Sequence, residues 1–151
     1  MQRPAARASR QSGMGGLRED FAALAAAGER TDLAARLAAL KDRSTLRITT
    51  RGRRTGKPHT VPIWFVADGT SLYLATLNAK RDWVRNLRKT PDVALEVGEL
   101  RVRGRARVVT DPALEGRIRD LLARKYRMAW IGSWFRMGPD ATFRVDDLEV
   151  T

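Results

Sequence analysis

From Leu46 onward apolar and polar residues alternate in short runs, and a period of two marks half-buried β-strands. Leu46, Ile48 and Thr50 alternate with Arg47, Thr49 and Arg51; Val61, Ile63 and Phe65 alternate with Thr60, Pro62 and Trp64. The two runs flank the glycine-punctuated turn GRRTGKP, so Leu46–Phe65 reads as a hairpin in which Gly52 and Gly56 allow positive φ. After the tight-turn pair Asp68-Gly69 the pattern predicts strands over Ser71–Thr76, Val93–Val97, Leu100–Val109 and Ala141–Val150. In Leu100–Val109 the arginines Arg101, Arg103, Arg105 and Arg107 all face one way. Helical spacing appears over Leu17–Ala27 and Asp32–Lys41, the second carrying Leu33, Leu37 and Leu40 with Thr31 or Asp32 as its cap. A helix over Ala79–Lys89, capped by Asn78, sets Trp83 and Leu87 on one face, and another opens at Thr110-Asp111-Pro112 with Leu114, Ile118, Leu121 and Leu122 as its buried stripe. A meander of strands with single helices inserted, without regular βαβ alternation, predicts an antiparallel α+β barrel.

A chain of 151 residues fits one domain, here 17–151, behind a small, polar, basic segment Met1–Gly16 expected to be a disordered tail. The chain has no cysteine, which excludes disulfides, thiolate metal sites and cysteine nucleophiles. It has no apolar run of about 18 residues and no apolar core segment in Met1–Gly16, so neither a membrane span nor a signal peptide is expected and a cytoplasmic location is. The net charge of +12 attracts anions: nucleic acid, an acidic membrane surface met peripherally, or a phosphorylated or polycarboxylate small molecule.

Arg51, Arg53, Arg54 and Lys57 crowd the hairpin turn. The turn is not a Walker loop, since only three residues separate Gly52 from Gly56 and Pro58 follows Lys57. It reads either as an anion site or as a solvated basic hairpin. Asn78, ahead of a helix N-terminus, offers a second anion position or an ordinary cap. Pro62 places its strand at an edge or a bulge, and Trp64 either stacks on a planar ligand or fills core. His59, the only histidine, holds a phosphate, donates a proton or is simply exposed. No residues have metal-ligand spacing, and no nucleophile stands beside a base. If the chain is an enzyme, a cofactor supplies the hard chemistry. Tyr126, Trp130, Trp134 and Phe135 with Met128 and Met137 form either an apolar pocket wall or a lid of core residues; the arginine row binds nucleic acid or is a solvated strand face.

The ordered series ITTRGRRTGKPHTVPIWF, DGTSLYLAT, DWVRNLRKTPDVALEVG and GRARVVTDP resembles the deazaflavin (F420)-dependent nitroreductase and quinone reductase family, from Leu46 to the helix after Asp111. The resemblance implies a split β-barrel of mainly antiparallel strands with peripheral helices, the FMN-binding type shared with pyridoxamine phosphate oxidases. It implies an oxidoreductase passing a hydride from reduced coenzyme F420 to a small-molecule acceptor: a quinone, a nitro compound or an activated alkene. FMN is the alternative cofactor, and split barrels also hold haem or other ligands without turnover. By the same resemblance Arg53, Arg54, Thr55, Gly56 and Lys57, with His59 nearby, bind the coenzyme's phosphate and acidic tail. Pro62, Ile63 and Trp64 line one side of the ring, Ala75, Thr76 and Asn78 the other, and Trp83 and Asn86 match the WxxN of the following helix. The segment Leu77–Asp82 is shorter than in many relatives. If a side chain delivers a proton, Tyr126 is the candidate; solvent is the other source. Homodimers are common among split barrels, and no specific nucleic acid partner is implied.

Overall fold

The computed structural model describes residues 3–127 and 138–151, with side chains from residue 16. Its strands are β1 (Leu46–Arg51), β2 (Pro58–Asp68), β3 (Ser71–Thr76), β4 (Asp92–Val97), β5 (Leu100–Val108) and β6 (Ala141–Val150). They close into an antiparallel barrel in the order β1-β2-β3-β6-β5-β4, with β4 returning to β1. Among the described residues three helices accompany them: α1 (Arg3–Leu40), α2 (Asp82–Lys89) and α3 (Pro112–Lys125).

The expected strands are all present, because each is a short run between turn residues, alternating except in β3, where SLYLAT is buried on both faces. Gly69, with φ +60, makes the β2–β3 turn as expected. In the basic turn only Gly56 has positive φ, +69. Gly52 serves a different need: a Cβ there would lie 2.9 Å from Thr55 Oγ1 and 3.0 Å from the Lys57 carbonyl. The α3 start is also as expected, with the Asp111 carboxylate accepting from Ala113 N at 3.2 Å and proline in the first turn.

Two helix expectations change. In place of two helices, α1 runs unbroken from Arg3 to Leu40 and also covers most of the segment expected as a tail. Thr31 caps nothing; its hydroxyl donates to Ala27 O within the helix at 2.9 Å. Gly28 costs about 1 kcal/mol relative to alanine, which the surrounding alanines and leucines tolerate. Leu33 and Leu37, buried against the barrel, anchor this end of α1 and each contributes about 1.5–3 kcal/mol. Farther back, Leu17, Phe21 and Leu24 are exposed along one face. The second change is α2, which begins at Asp82 rather than Ala79. The Asn78 side chain accepts from Lys80 N at 2.9 Å, and this local turn takes the residues before Asp82 out of the helix.

The barrel interior holds Ile48, Ile63, Phe65, Leu72, Leu74, Leu95, Phe143 and Val145, and Trp83, Val84 and Leu87 of α2 pack into the same cluster. A second cluster joins the outer face to α3, through Val66, Tyr73 and Ala75 on the sheet and Ile118, Leu122 and Tyr126 on the helix side. Strand β3 is therefore buried on both faces. No described helix is long and apolar enough to cross a membrane.

Candidate functional site

The site begins with a change of partner along β2. Its first half pairs with β1, from Arg51↔Pro58 to Leu46↔Ile63. Its second half pairs with β3, from Trp64↔Ala75 to Asp68↔Ser71. Beyond Thr76 the chain turns away toward α2, so the β3-side edge of β2 is left open from His59 to Ile63. The ladder also explains the proline. Gly52 N donates to Lys57 O at 2.8 Å, which makes odd-numbered β2 residues the ones hydrogen-bonded to β1. Pro62, an even position, has its missing N–H on the open side, where a donor would have no strand to meet.

The gap is a cleft of about 710 Å³, within the range of small-molecule sites. Its walls are Val61, Pro62, Ile63 and Trp64 of β2, Ala75 and Thr76 of β3, Leu77 and Asn78 beyond it, Arg81, Asp82 and Trp83 at the α2 start, and His59 and Thr45. The short Leu77–Asp82 segment is firmly held. Thr76 Oγ1 donates to Asn78 O at 3.0 Å and accepts from Asn78 N at 3.1 Å, while Asp140 Oδ2 accepts from Ala79 N at 2.6 Å.

The structure thus brings His59, Pro62, Ile63, Trp64, Ala75, Thr76, Asn78 and Trp83 to one cleft. Trp83 is largely core, meeting Phe143 edge-on with centroids 6.0 Å apart. Trp64 is half-buried, tilted against Tyr126 at 6.4 Å. Arg54, Thr55, Gly56 and Lys57 are exposed beside the cleft rather than in it. The His59 ring and the Arg54, Lys57 and Arg81 cations carry no hydrogen bond or ion pair to another described residue.

Arg53 and Asn86 sit elsewhere, joined in a clasp. The buried Asn86 carboxamide accepts from Arg53 N at 3.1 Å and from the Arg53 guanidinium at 3.0 Å, and donates to Thr50 Oγ1 at 3.2 Å. The guanidinium also meets Asp82 at 3.1 Å, and Lys89 Nζ donates to Arg53 O at 2.9 Å. These bonds consume both side chains in docking the basic turn onto α2. Arg53 and Asn86 are therefore struts of the site, not its lining.

Tyr126 is likewise outside the lining. Its hydroxyl is held by backbone, donating to Ser44 O at 2.7 Å and accepting from Phe65 N at 3.2 Å. Burial pushes its phenol up to about 12, offset in part by the Phe65 hydrogen bond. A phenol so held is a poor proton donor near neutrality. Trp130, Trp134, Phe135, Met128 and Met137 lie outside the described residues.

Beyond the residues the resemblance implied, Thr45, Val61, Leu77, Arg81 and Asp82 also line the cleft. Val61 and Arg81 carried signals, one by alternation with Pro62 and the other as a cation opposing the α2 dipole. Thr45 had none, since it enters only through the register beyond β1.

Residues 33–150 match the family model for pyridoxamine 5′-phosphate oxidase. The chain belongs to that family. Among solved structures, a Listeria innocua protein provisionally described as a pyridoxamine 5′-phosphate oxidase is similar, with TM-score 0.57 and 18% identity over 78% of this chain and 96% of that one. An F420-H2 dependent reductase, FDR-A, gives TM-score 0.56 and 20% identity over 69% of this chain and 95% of its own. The heme storage protein HutZ from Vibrio cholerae gives 0.56 and 20%, over 78% and 94%. At these identities the likeness is one of fold. No curated protein matches the chain.

Proposed function

We propose that the chain is an oxidoreductase whose cleft takes coenzyme F420 in its reduced form, for reduction of a quinone, a nitro compound or an activated alkene. The carrying observation is the pairing of an apolar-walled slot with cations beside it that have no side-chain partner among the described residues. The donor set suits a planar ring bearing a phosphodiester and carboxylates. Val61, Pro62, Ile63, Trp64 and Ala75 would hold the ring and exclude water from it. His59 and Arg81 would hold polar groups at the cleft mouth, and Arg54 and Lys57 the acidic tail. The clasp at Arg53, Asp82 and Asn86 keeps the turn against the helix end, so these cations are placed before any ligand arrives. When bound, the reduced deazaflavin supplies the hydride; the chain's contribution is binding, orientation and a dry ring face.

A fluorescence titration of the protein with F420, and separately with FMN, tests this reading. F420 is expected to bind. The double variant Arg54→Ala, Lys57→Ala should bind it roughly a hundredfold more weakly, two charge-assisted contacts of about 1.5 kcal/mol each, with Tm unchanged because the turn is exposed. Preference for FMN would keep the redox class and change the cofactor, and binding of neither would refute the proposal.

A further inference from the structure

The hydrogen-bonded rungs between β1 and β2 follow one register. Gly52 pairs with Lys57 directly, and the same register carries through Thr50↔His59, Ile48↔Val61 and Leu46↔Ile63. Two residues farther, the next bonded rung would join Ser44 to Phe65. Among the described residues no direct backbone bond is made there. The Tyr126 hydroxyl stands in its place, accepting from Phe65 N at 3.2 Å and donating to Ser44 O at 2.7 Å. The preceding residue, Lys125, caps the other half of the same rung, its Nζ donating to Phe65 O at 2.8 Å. Between the missing rung and the last formed one lies the pair Thr45 and Trp64. Both are cleft walls.

We propose that Tyr126 is a wedge: its hydroxyl, inserted into the β1–β2 ladder, holds the strands apart at Thr45 and Trp64 and so sets where these two walls stand in the cleft. A hydroxyl both accepts and donates, so it satisfies the two backbone groups it separates, and the strands part without orphaned polar atoms. Tyr126 is a positioning residue, acting on the ligand through Trp64 and Thr45. The inference concerns the shape of the cleft and stands whichever group fills it.

The substitution Tyr126→Phe removes the wedge atom and leaves the ring against Trp64. In isotope-labelled full-length protein, a through-hydrogen-bond scalar coupling from Phe65 N to Ser44 C′ reads the rung directly. The wild type should show none and Tyr126→Phe should show it, as the ladder zips one step farther. Affinity for whichever of F420 or FMN the wild type binds should then fall by about tenfold to a hundredfold, the scale of a displacement near 1 Å. The wild type alone supplies a second reading should the variant not fold: the hydroxyl proton of Tyr126 should exchange slowly and give a nuclear Overhauser effect to the Phe65 amide. A direct coupling already present in the wild type, its absence from a folded Tyr126→Phe, or a missing Overhauser effect would overturn the wedge. Failure of both cofactors to bind would sink the proposed function and leave the coupling test intact.

Discussion

Asn86 discriminates most sharply between a ligand contact and a strut. The resemblance puts it with the coenzyme, yet its carboxamide is 3% exposed and spends three hydrogen bonds on Arg53 N, the Arg53 guanidinium and Thr50 Oγ1. Asn86→Ala would strand the part-buried Arg53 N–H and the buried Thr50 hydroxyl. At about 1 kcal/mol per lost bond plus desolvated leftovers, the loss should be roughly 2–4 kcal/mol. For a domain of this size that corresponds to a fall in Tm of roughly 5–15 °C. Asn86→Asp keeps the acceptor toward Arg53 and loses only the donor toward Thr50, so it should lose less. Urea unfolding, read alongside the F420 titration at a temperature where every variant is folded, separates the two roles. An Asn86→Ala protein of native stability that no longer binds F420 would show that the carboxamide meets the ligand, and the clasp account would be wrong.

Gly104 sits at the register shift where Arg103 pairs with Glu149 and Arg105 with Asp146. A Cβ there would lie 2.6 Å from Val145 Cγ1, 2.8 Å from Leu148 Cδ2 and 2.9 Å from Asp146 O, so Gly104→Ala should destabilise by about 1–3 kcal/mol; an unchanged urea midpoint would count against the bulge geometry. Stability should also depend on pH through Lys125 and Tyr126, with opposite signs. Burial lowers the Lys125 ammonium from 10.5 to about 8, with Asp42 partly restoring it, so between those values the unfolded chain holds the extra proton and stability rises with pH. Burial raises the Tyr126 phenol from 10.0 to about 12, so there the folded chain holds the extra proton and stability falls with pH. Urea midpoints across this range should lose the rising limb in Lys125→Met and keep the falling one; identical profiles for wild type and variant would refute the assignment.

The strands were readable because each is a local pattern, an alternating or (in β3) apolar run of six to eleven residues bounded by glycine, proline or aspartate turns. The α3 start was readable for the same reason, since Asp111 and Pro112 act within one turn. Asn78 shows where local reading fails. Its side chain can cap a helix or close a turn on Lys80, and only the bond from Asp140 to Ala79, across 61 residues, favours the second. The walls on β2 and β3 were accessible through the resemblance, as contiguous strand residues. The roles of Arg53, Asn86 and Tyr126 were not, because each depends on partners 29 to 82 residues away that no spacing rule brings together. A motif can keep its residue types while the structure assigns them to support rather than contact.

The position of the charge, more than its total, decides what kind of anion the protein suits. A net +12 invites nucleic acid, and the arginine row on β5 looks like its footprint. Across the ladders, however, Arg101 stands opposite Glu96, Arg103 opposite Glu149, and Arg105 opposite both Asp92 and Asp146. Arg107 faces Arg144, which is itself bonded to Asp146 at 2.7 Å. These opposed charges offset one another's field without closing into ion pairs among the described residues, so this face carries less net charge than its arginine row alone. The surplus lies elsewhere. Residues 51–57 and 80–89 hold nine cations against one acid, Asp82; the Arg53 clasp ties the two stretches together, and Arg81 lines the cleft. Helix α2, with eight residues, is about 12 Å long, short beside a nucleic-acid backbone. A duplex laid on it would meet few phosphates and leave the apolar slot empty. A small polyanion with a flat ring would use both features at once, its ring in the slot and its charges on the neighbouring cations, which is why the proposed ligand is a coenzyme rather than nucleic acid.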